Sequence, residues 1–296
     1  MVALSMKQMF MQISSRSAGI ILLGLGLYAT ATGVGAFEAT DSARVEKAAL
    51  ETYATPRAAL KAGLEGFGLG DSASAIEALK IAAEGGELLA QWKLAKIYAS
   101  GDGVPRDDLK AYQYFVQIVK SYDEDNPDRR NAAIVSSACV ALGVYSLNGI
   151  ENSAVVADPE RALRLFQYAA TNFGDANAQY NLARMLLDRA SAGTDELKAL
   201  RWLSLAAEKG HVQAEALLGQ LLFAGHEGIR PQRGLGLMWL TLARDAAADS
   251  DKDKWIIDLY EKAVASANDA DRREARTHLD RREARTYLEN SMKRRN

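Results

Sequence analysis

The chain repeats itself with a period of about 36 residues, and no other sequence feature constrains its fold as strongly. Three copies start at Ala75, Ala162 and Ala199, each with an alanine pair in its first half and a Leu-Ala or Leu-Gly pair in its second. A divergent fourth copy with an insertion lies between Ala111 and Leu147. Repeats of this length are single units that bury their apolar faces by stacking on their neighbours.

Each copy predicts two helices. Apolar residues recur at i, i+4, i+7 and i+8 in the first half and at i, i+4, i+5 and i+8 in the second, and each spacing is the stripe of an amphipathic helix. Glycines follow each stripe, and all five prolines fall at predicted helix boundaries, where a missing N–H does least harm. No segment predicts a strand, so we predict an all-α fold. In the copy at 75 the stripes are Ala75, Leu79, Ala82 and Ala83, then Ala90, Leu94, Ala95 and Tyr98.

These residues resemble the Sel1-like repeats of the tetratricopeptide-like superfamily. The motif A-x-x-x-L/F-x-x-A-A-E-x-G followed by A-x-x-x-L-G-x-x-Y-x-x-G-x-G-V is almost complete at 75–104 and good at 199–229. The copies at 111–158 and 162–197 are weaker, and the resemblance covers about 56–245. It implies a right-handed α-solenoid whose first helices line a concave side, a surface that such proteins use to bind other proteins.

The N-terminus has the layout of an export signal. The first 36 residues carry two charges, both basic, and Ala18–Tyr28 is apolar. Small residues precede a predicted cleavage site between Ala36 and Phe37, with no nearby cysteine for a lipid anchor. The alternative is an uncleaved membrane anchor, because the run Ala18–Phe37 spans 20 residues. We expect a cleaved signal peptide and a periplasmic protein.

The wider layout resembles the exported exopolysaccharide-production negative regulators of alphaproteobacteria. The shared features are the leader, an acidic segment before the first helix, the block AA-E-G…A-Q-W-K-L-A…Y-A-x-G-D-G-V-P, and an insertion in the second repeat. This resemblance implies a non-enzymatic inhibitor that binds the periplasmic sensor domain of a membrane histidine kinase. The alternative that the sequence leaves open is an envelope scaffold or adaptor that binds cell-wall or secretion-complex components.

Composition argues against several other functions. The chain has 36 basic and 38 acidic residues, so no general basic field predicts nucleic-acid binding. One cysteine, Cys139, excludes an intrachain disulfide framework and a Cys-rich zinc site, and it is either packed in a helix or a reactive thiol. No two of His211, His226 and His278 share a predicted helix face. We therefore expect no catalytic site, metal or cofactor.

The C-terminal part lies outside the repeats. Six apolar residues predict a helical stripe that covers the last repeat: Trp255, Ile256, Leu259, Tyr260, Ala263 and Val264. The tail then repeats RREARTHL at 272–279 as RREARTYL at 281–288, nine residues later. Nine residues are two and a half turns, so one apolar stripe cannot include both Leu279 and Leu288. A solvated helix, a recent duplication and a contact with nucleic acid or lipid head groups are the alternatives.

Candidate protein-binding residues are exposed positions on the first helices of the repeats. Tyr114 and Trp202 are alternatively interhelix packing residues, and the insertion at 121–131 is a second candidate surface. The candidate contacts are Gln113, Tyr114, Arg164, Gln167, Arg201 and Ser204. The predicted organisation is a signal peptide (1–36), a flexible arm (37–55), a repeat solenoid (56–247), a capping helix (248–270) and a charged tail (271–296).

Overall fold

The computed structural model describes residues 53–125, 128, 130–188, 194–226, 228–247 and 251–293. Within these residues the chain forms twelve α-helices and no β-strand, which confirms the predicted all-α class. The predicted signal peptide, its cleavage site and most of the arm lie outside the described residues. None of the described helices combines the length and hydropathy needed to cross a membrane.

The chain divides into two compact units after Ala162. The first unit contains α1 (Pro56–Gly68), α2 (Ser72–Glu84), α3 (Leu88–Ser100), α4 (Asp108–Lys120) and α5 (Ala132–Asn148). Helix α6 (Pro159–Tyr168) spans the boundary and continues into a π-helical turn, Ala169–Phe173. The second unit then contains α7 (Ala176–Asp188), α8 (Thr194–Glu208), α9 (Val212–Ala224), α10 (Arg233–Ala246), α11 (Lys254–Ser266) and α12 (Asp269–Lys293).

Each predicted copy is a pair of consecutive helices, and the predicted stripes are buried. In α2 and α3 all eight stripe residues are at most 7% exposed, and Leu79 and Leu94 are completely buried. The alanine and leucine pairs of the other two regular copies are also buried, among them Ala206, Ala207 and Leu218. Small residues at these sites let neighbouring helices approach, while leucines fill the remaining space.

The predicted helix boundaries are also observed. Gly86, Gly101 and Gly210 have φ values of 87°, 76° and 80°, a left-handed conformation that glycine adopts at little cost. Pro56 is the first residue of α1, where its missing N–H leaves no hydrogen bond unmade. Asp107 caps α4, because its side chain accepts a hydrogen bond of 2.9 Å from the backbone N–H of Lys110.

Helix α11 packs against α9 and α10, but with a narrower face than predicted. Ile256 and Ala263 are buried, and Leu259, Tyr260 and Val264 pack partly against the core. The prediction that Trp255 faces inward is wrong, since its side chain is 37% exposed. Trp255 lies in the first turn of α11, about 100° around the helix from Ile256, and therefore at the edge of the packed face.

The charged tail is part of a single helix, α12, which packs against α10. Ala275 is buried, Leu279 packs partly against the core, and the guanidinium of Arg282 lies 4.7 Å from the centre of the Trp239 ring. Asp271 accepts a hydrogen bond of 2.9 Å from Nε of Arg233 on α10. The first copy of the duplication therefore has one packed face, which contains Ala275 and Leu279, while its three arginines are exposed. The side chain of Leu288 lies beyond the described part.

Candidate protein-binding groove

A groove of about 630 Å³ in the first unit is formed by residues of α2, α3 and α4. Two of the predicted contacts, Gln113 and Tyr114, line it. This volume is in the range of a small-molecule site, and a short peptide segment would also fit. The other lining residues are Lys80, Ala83, Glu84, Gly86, Gln91, Tyr98, Lys110 and Gln117.

Two stacked tyrosines form an aromatic wall of this groove. The rings of Tyr98 and Tyr114 are 6.0 Å apart between centroids and inclined by only 10°. Burial raises the pKa of Tyr114 to about 12, with a smaller contribution from the charges of nearby acidic groups. The Tyr114 hydroxyl is therefore neutral at physiological pH and can donate a hydrogen bond. Tyr114 is half-buried, so it packs between helices and still contributes to the groove surface.

Gln91 supplies an unpaired acceptor in the same groove. Its side chain is only 7% exposed, and its Nε2 donates a hydrogen bond of 3.2 Å to the carbonyl of Ala83. Its Oε1 is buried and has no hydrogen-bond partner within the described part of the chain. Buried amide oxygens are almost always hydrogen-bonded, so this atom is a natural acceptor for an N–H group of a ligand.

The equivalent position in another repeat shows how unusual Gln91 is. Gln179 follows the same alanine in the copy at 162 and is similarly buried, at 3% exposed. There, however, Nζ of Lys209 donates a hydrogen bond of 3.0 Å to Oε1 of Gln179. Sequence reasoning missed Gln91, although a polar residue beside a buried alanine is a signal that repeat comparison can find.

Two lysines add positive charge to the groove. Nζ of Lys80 lies 2.6 Å from Oε1 of Glu77, and this hydrogen bond raises the pKa of Lys80. Nζ of Lys110 lies 3.3 Å from Oδ2 of Asp107 and 5.2 Å from the centre of the Tyr98 ring. Ammonium groups, amides and an aromatic wall together suit a peptide, since they can meet both its N–H and its carbonyl groups.

The remaining predicted contacts do not line this groove. Gln167 on α6 and Arg201 on α8 are exposed, while Arg164 is half-buried and its Nε has no hydrogen-bond partner among the described residues. Ser204 donates a hydrogen bond of 2.9 Å to the carbonyl of Leu200 in its own helix. A binding role for these four residues stays a prediction.

Two alternatives named from the sequence can be placed as well. Trp202 is half-buried and packs against the core of the second unit, in agreement with the packing interpretation. The insertion at 121–131 is described only in part, so its role as a second surface stays a prediction.

The histidines and the cysteine have separate surroundings. His211 caps α9 by accepting a hydrogen bond of 3.2 Å at Nδ1 from the N–H of Ala214, and burial lowers its pKa. His226 contacts Glu196, His278 lies 3.6 Å from Glu274, and Cys139 is completely buried. Among the described residues, no three His, Cys, Asp or Glu side chains lie close enough together to hold a metal ion.

The Sel1 repeat family model matches residues 88–117, 136–172, 176–211 and 212–247. Each match joins the second helix of one predicted copy to the first helix of the next. The repeat boundaries of the family model are therefore shifted by one helix from the boundaries predicted above. A solved Sel1 repeat protein from Oxalobacter formigenes is similar, with a TM-score of 0.51 and 28% identity. The similarity covers 65% of this chain and 74% of that protein.

Two relatives are similar over most of their length, and both are named exopolysaccharide production negative regulator. The protein of Rhizobium meliloti (strain 1021) is 32% identical over 262 residues, which are 88% of this chain and 93% of that protein. The protein of Rhizobium leguminosarum bv. viciae is 35% identical over 215 residues, which are 73% of this chain and 78% of that protein. The chain is therefore a Sel1 repeat protein and belongs to the family of exopolysaccharide production negative regulators.

Proposed function

We propose that this protein represses exopolysaccharide production by binding and inhibiting the sensor domain of a membrane histidine kinase. The similarity to two negative regulators over most of their length carries the regulatory part of the proposal. The groove with its unpaired Gln91 acceptor supports recognition of a protein partner, which is also the general use of helical-repeat surfaces.

Inhibition needs only a difference in affinity between two states of the partner. A protein that binds the inactive conformation of a sensor domain more tightly than the active one shifts the kinase towards inactivity. A shift from mostly active to mostly inactive requires a preference on the order of 10⁴-fold. The sequence features of the leader support binding in the periplasm, where the sensor domain of such a kinase is exposed.

Deletion of the gene tests the regulatory part. We expect the deletion strain to produce more exopolysaccharide, and we expect the additional loss of the kinase to abolish this increase. Because the second deletion removes the proposed target, it separates repression through the kinase from a general envelope defect. Unchanged exopolysaccharide in the first strain, or an increase that persists without the kinase, would contradict the proposal.

Replacing Gln91 by leucine tests the groove. The change removes the unpaired acceptor and keeps the volume similar, so we expect affinity for the sensor domain to fall about tenfold, or about 1.4 kcal/mol. Gln179→Leu is the matched control, because Oε1 of Gln179 already has its partner in Lys209. We expect the control to bind like the wild type in calorimetry. Equal affinities for all three proteins would exclude this groove as the contact surface.

A further inference from the structure

A second groove, with a different chemistry, lies entirely in the second unit. It has a volume of about 290 Å³ and is formed by residues of α7, α8 and α9 and the loop after α9. Its walls are mainly apolar, with Leu187, Leu217 and Leu221 among them, and its polar groups are Glu196, Gln220 and His226. A narrow apolar groove with a few polar groups suits a side chain that has an apolar stem and a charged head.

Glu196 is the unusual group in this groove. It lies in the first turn of α8 and is only 3% exposed. Its Oε1 lies 2.7 Å from Nδ1 of His226. Its Oε2 is buried and has no hydrogen-bond partner within the part of the chain that the structure describes. A buried carboxyl oxygen without a partner is costly, and a cation that donates hydrogen bonds removes that cost.

We propose that this groove, here called the Glu196 groove, binds an arginine side chain of a protein partner. The guanidinium group would donate to Oε2 of Glu196, and the leucines would cover the methylene stem. Arginine is favoured over lysine because its planar fork carries five donors and is more weakly hydrated than an ammonium. A second N–H can therefore bond another acceptor in the groove, such as the exposed amide of Gln220.

The inference concerns a different groove from the one in the proposed function, and it goes beyond that function. It can be tested without a kinase. N-acetyl-arginine amide is the probe, and its neutral isostere N-acetyl-citrulline amide is the matched control ligand. The full exported chain is titrated with each, and binding is followed by NMR at the imidazole of His226. The chain has only three histidines, so these signals can be assigned by substitution. We expect saturable binding of the arginine probe in the millimolar range and none of the citrulline control.

Glu196→Gln tests the contact itself. The substitution keeps the shape of the side chain and removes its charge, so we expect the arginine probe to bind at least tenfold more weakly. Glu208→Gln, at an exposed position of the same helix, is the control and should bind like the wild type. Circular dichroism spectra that match the wild type show that both variants are folded.

Three results would overturn the inference. They are the absence of saturable arginine binding, equal binding of the citrulline control, and unchanged affinity in Glu196→Gln. Equal binding of N-acetyl-lysine amide would overturn the choice of guanidinium over ammonium. None of these results bears on repression through the kinase, so the two proposals fail separately.

Discussion

Replacing Gly236 by alanine is expected to lower the free energy of unfolding by about 3 kcal/mol. A Cβ atom at this position would lie 2.4 Å from the backbone N of Phe223 and 2.7 Å from the carbonyl oxygen of Gly219. Both neighbours belong to the backbone of α9 and cannot rotate away as a side chain could. Helices α9 and α10 would have to separate, which would loosen the core of the second unit around them.

Gly68→Ala is the matched control for this prediction. Gly68 is the last residue of α1, and a Cβ atom there would meet nothing within 4 Å. We expect this change to be neutral or to stabilise the protein by up to about 1 kcal/mol, since alanine restricts the unfolded chain. Urea unfolding of both variants, followed by tryptophan fluorescence, makes the comparison. Equal stability of Gly236→Ala and the wild type would show that α9 and α10 are not as close as described.

Replacing Glu215 by glutamine is expected to stabilise the protein at alkaline pH. Glu215 is 5% exposed, and burial raises its pKa from 4.5 to about 7, while the charge of Arg282 on α12 opposes this shift. The native state therefore favours the protonated form. Its contribution to stability is complete below pH 4.5 and is lost as the pH rises through 7. The shift corresponds to a loss of at most about 3 kcal/mol.

The measurement is the free energy of unfolding of Glu215→Gln at pH 5 and pH 8. Glutamine does not ionise, so we expect the variant to exceed the wild type by about 2 kcal/mol at pH 8 and by less than about 1 kcal/mol at pH 5. Glu261→Gln, at an exposed position of α11, reports the effect of removing one negative charge from the surface. A variant that is no more stable than the wild type at pH 8 would contradict the prediction.

Much of the fold follows from the repeat period and the residue types at fixed positions in it. Leu79 and Leu94 lie on predicted stripes and are completely buried, because a repeat can bury its apolar face only against its neighbours. Gly219 occupies the small-residue position of its copy, and there α9 meets α10. The repeat motif of the last copy ends at residue 229 and does not include Gly236. Its role in close packing depends on which helix lies opposite.

The binding surfaces were less predictable, for a physical reason. Periodicity predicts which face of a helix is buried, but it does not predict whether a buried polar atom finds a partner. Gln91 and Gln179 occupy equivalent positions, but Oε1 of Gln179 accepts a hydrogen bond from Lys209, and Oε1 of Gln91 has no partner among the described residues. In the same way, the surroundings of Glu196 depend on the loop that places Nδ1 of His226 2.7 Å from its Oε1. The packing of α12 against α10 was not predicted, because only a few residues of its charged sequence make the contact.

Calorimetry of this protein with the isolated sensor domain of the proposed partner kinase, at neutral pH, is the most direct test of the proposed function. The proposal predicts saturable association that Gln91→Leu weakens about tenfold and Gln179→Leu leaves unchanged. An absence of association between the wild-type chain and the sensor domain would contradict it.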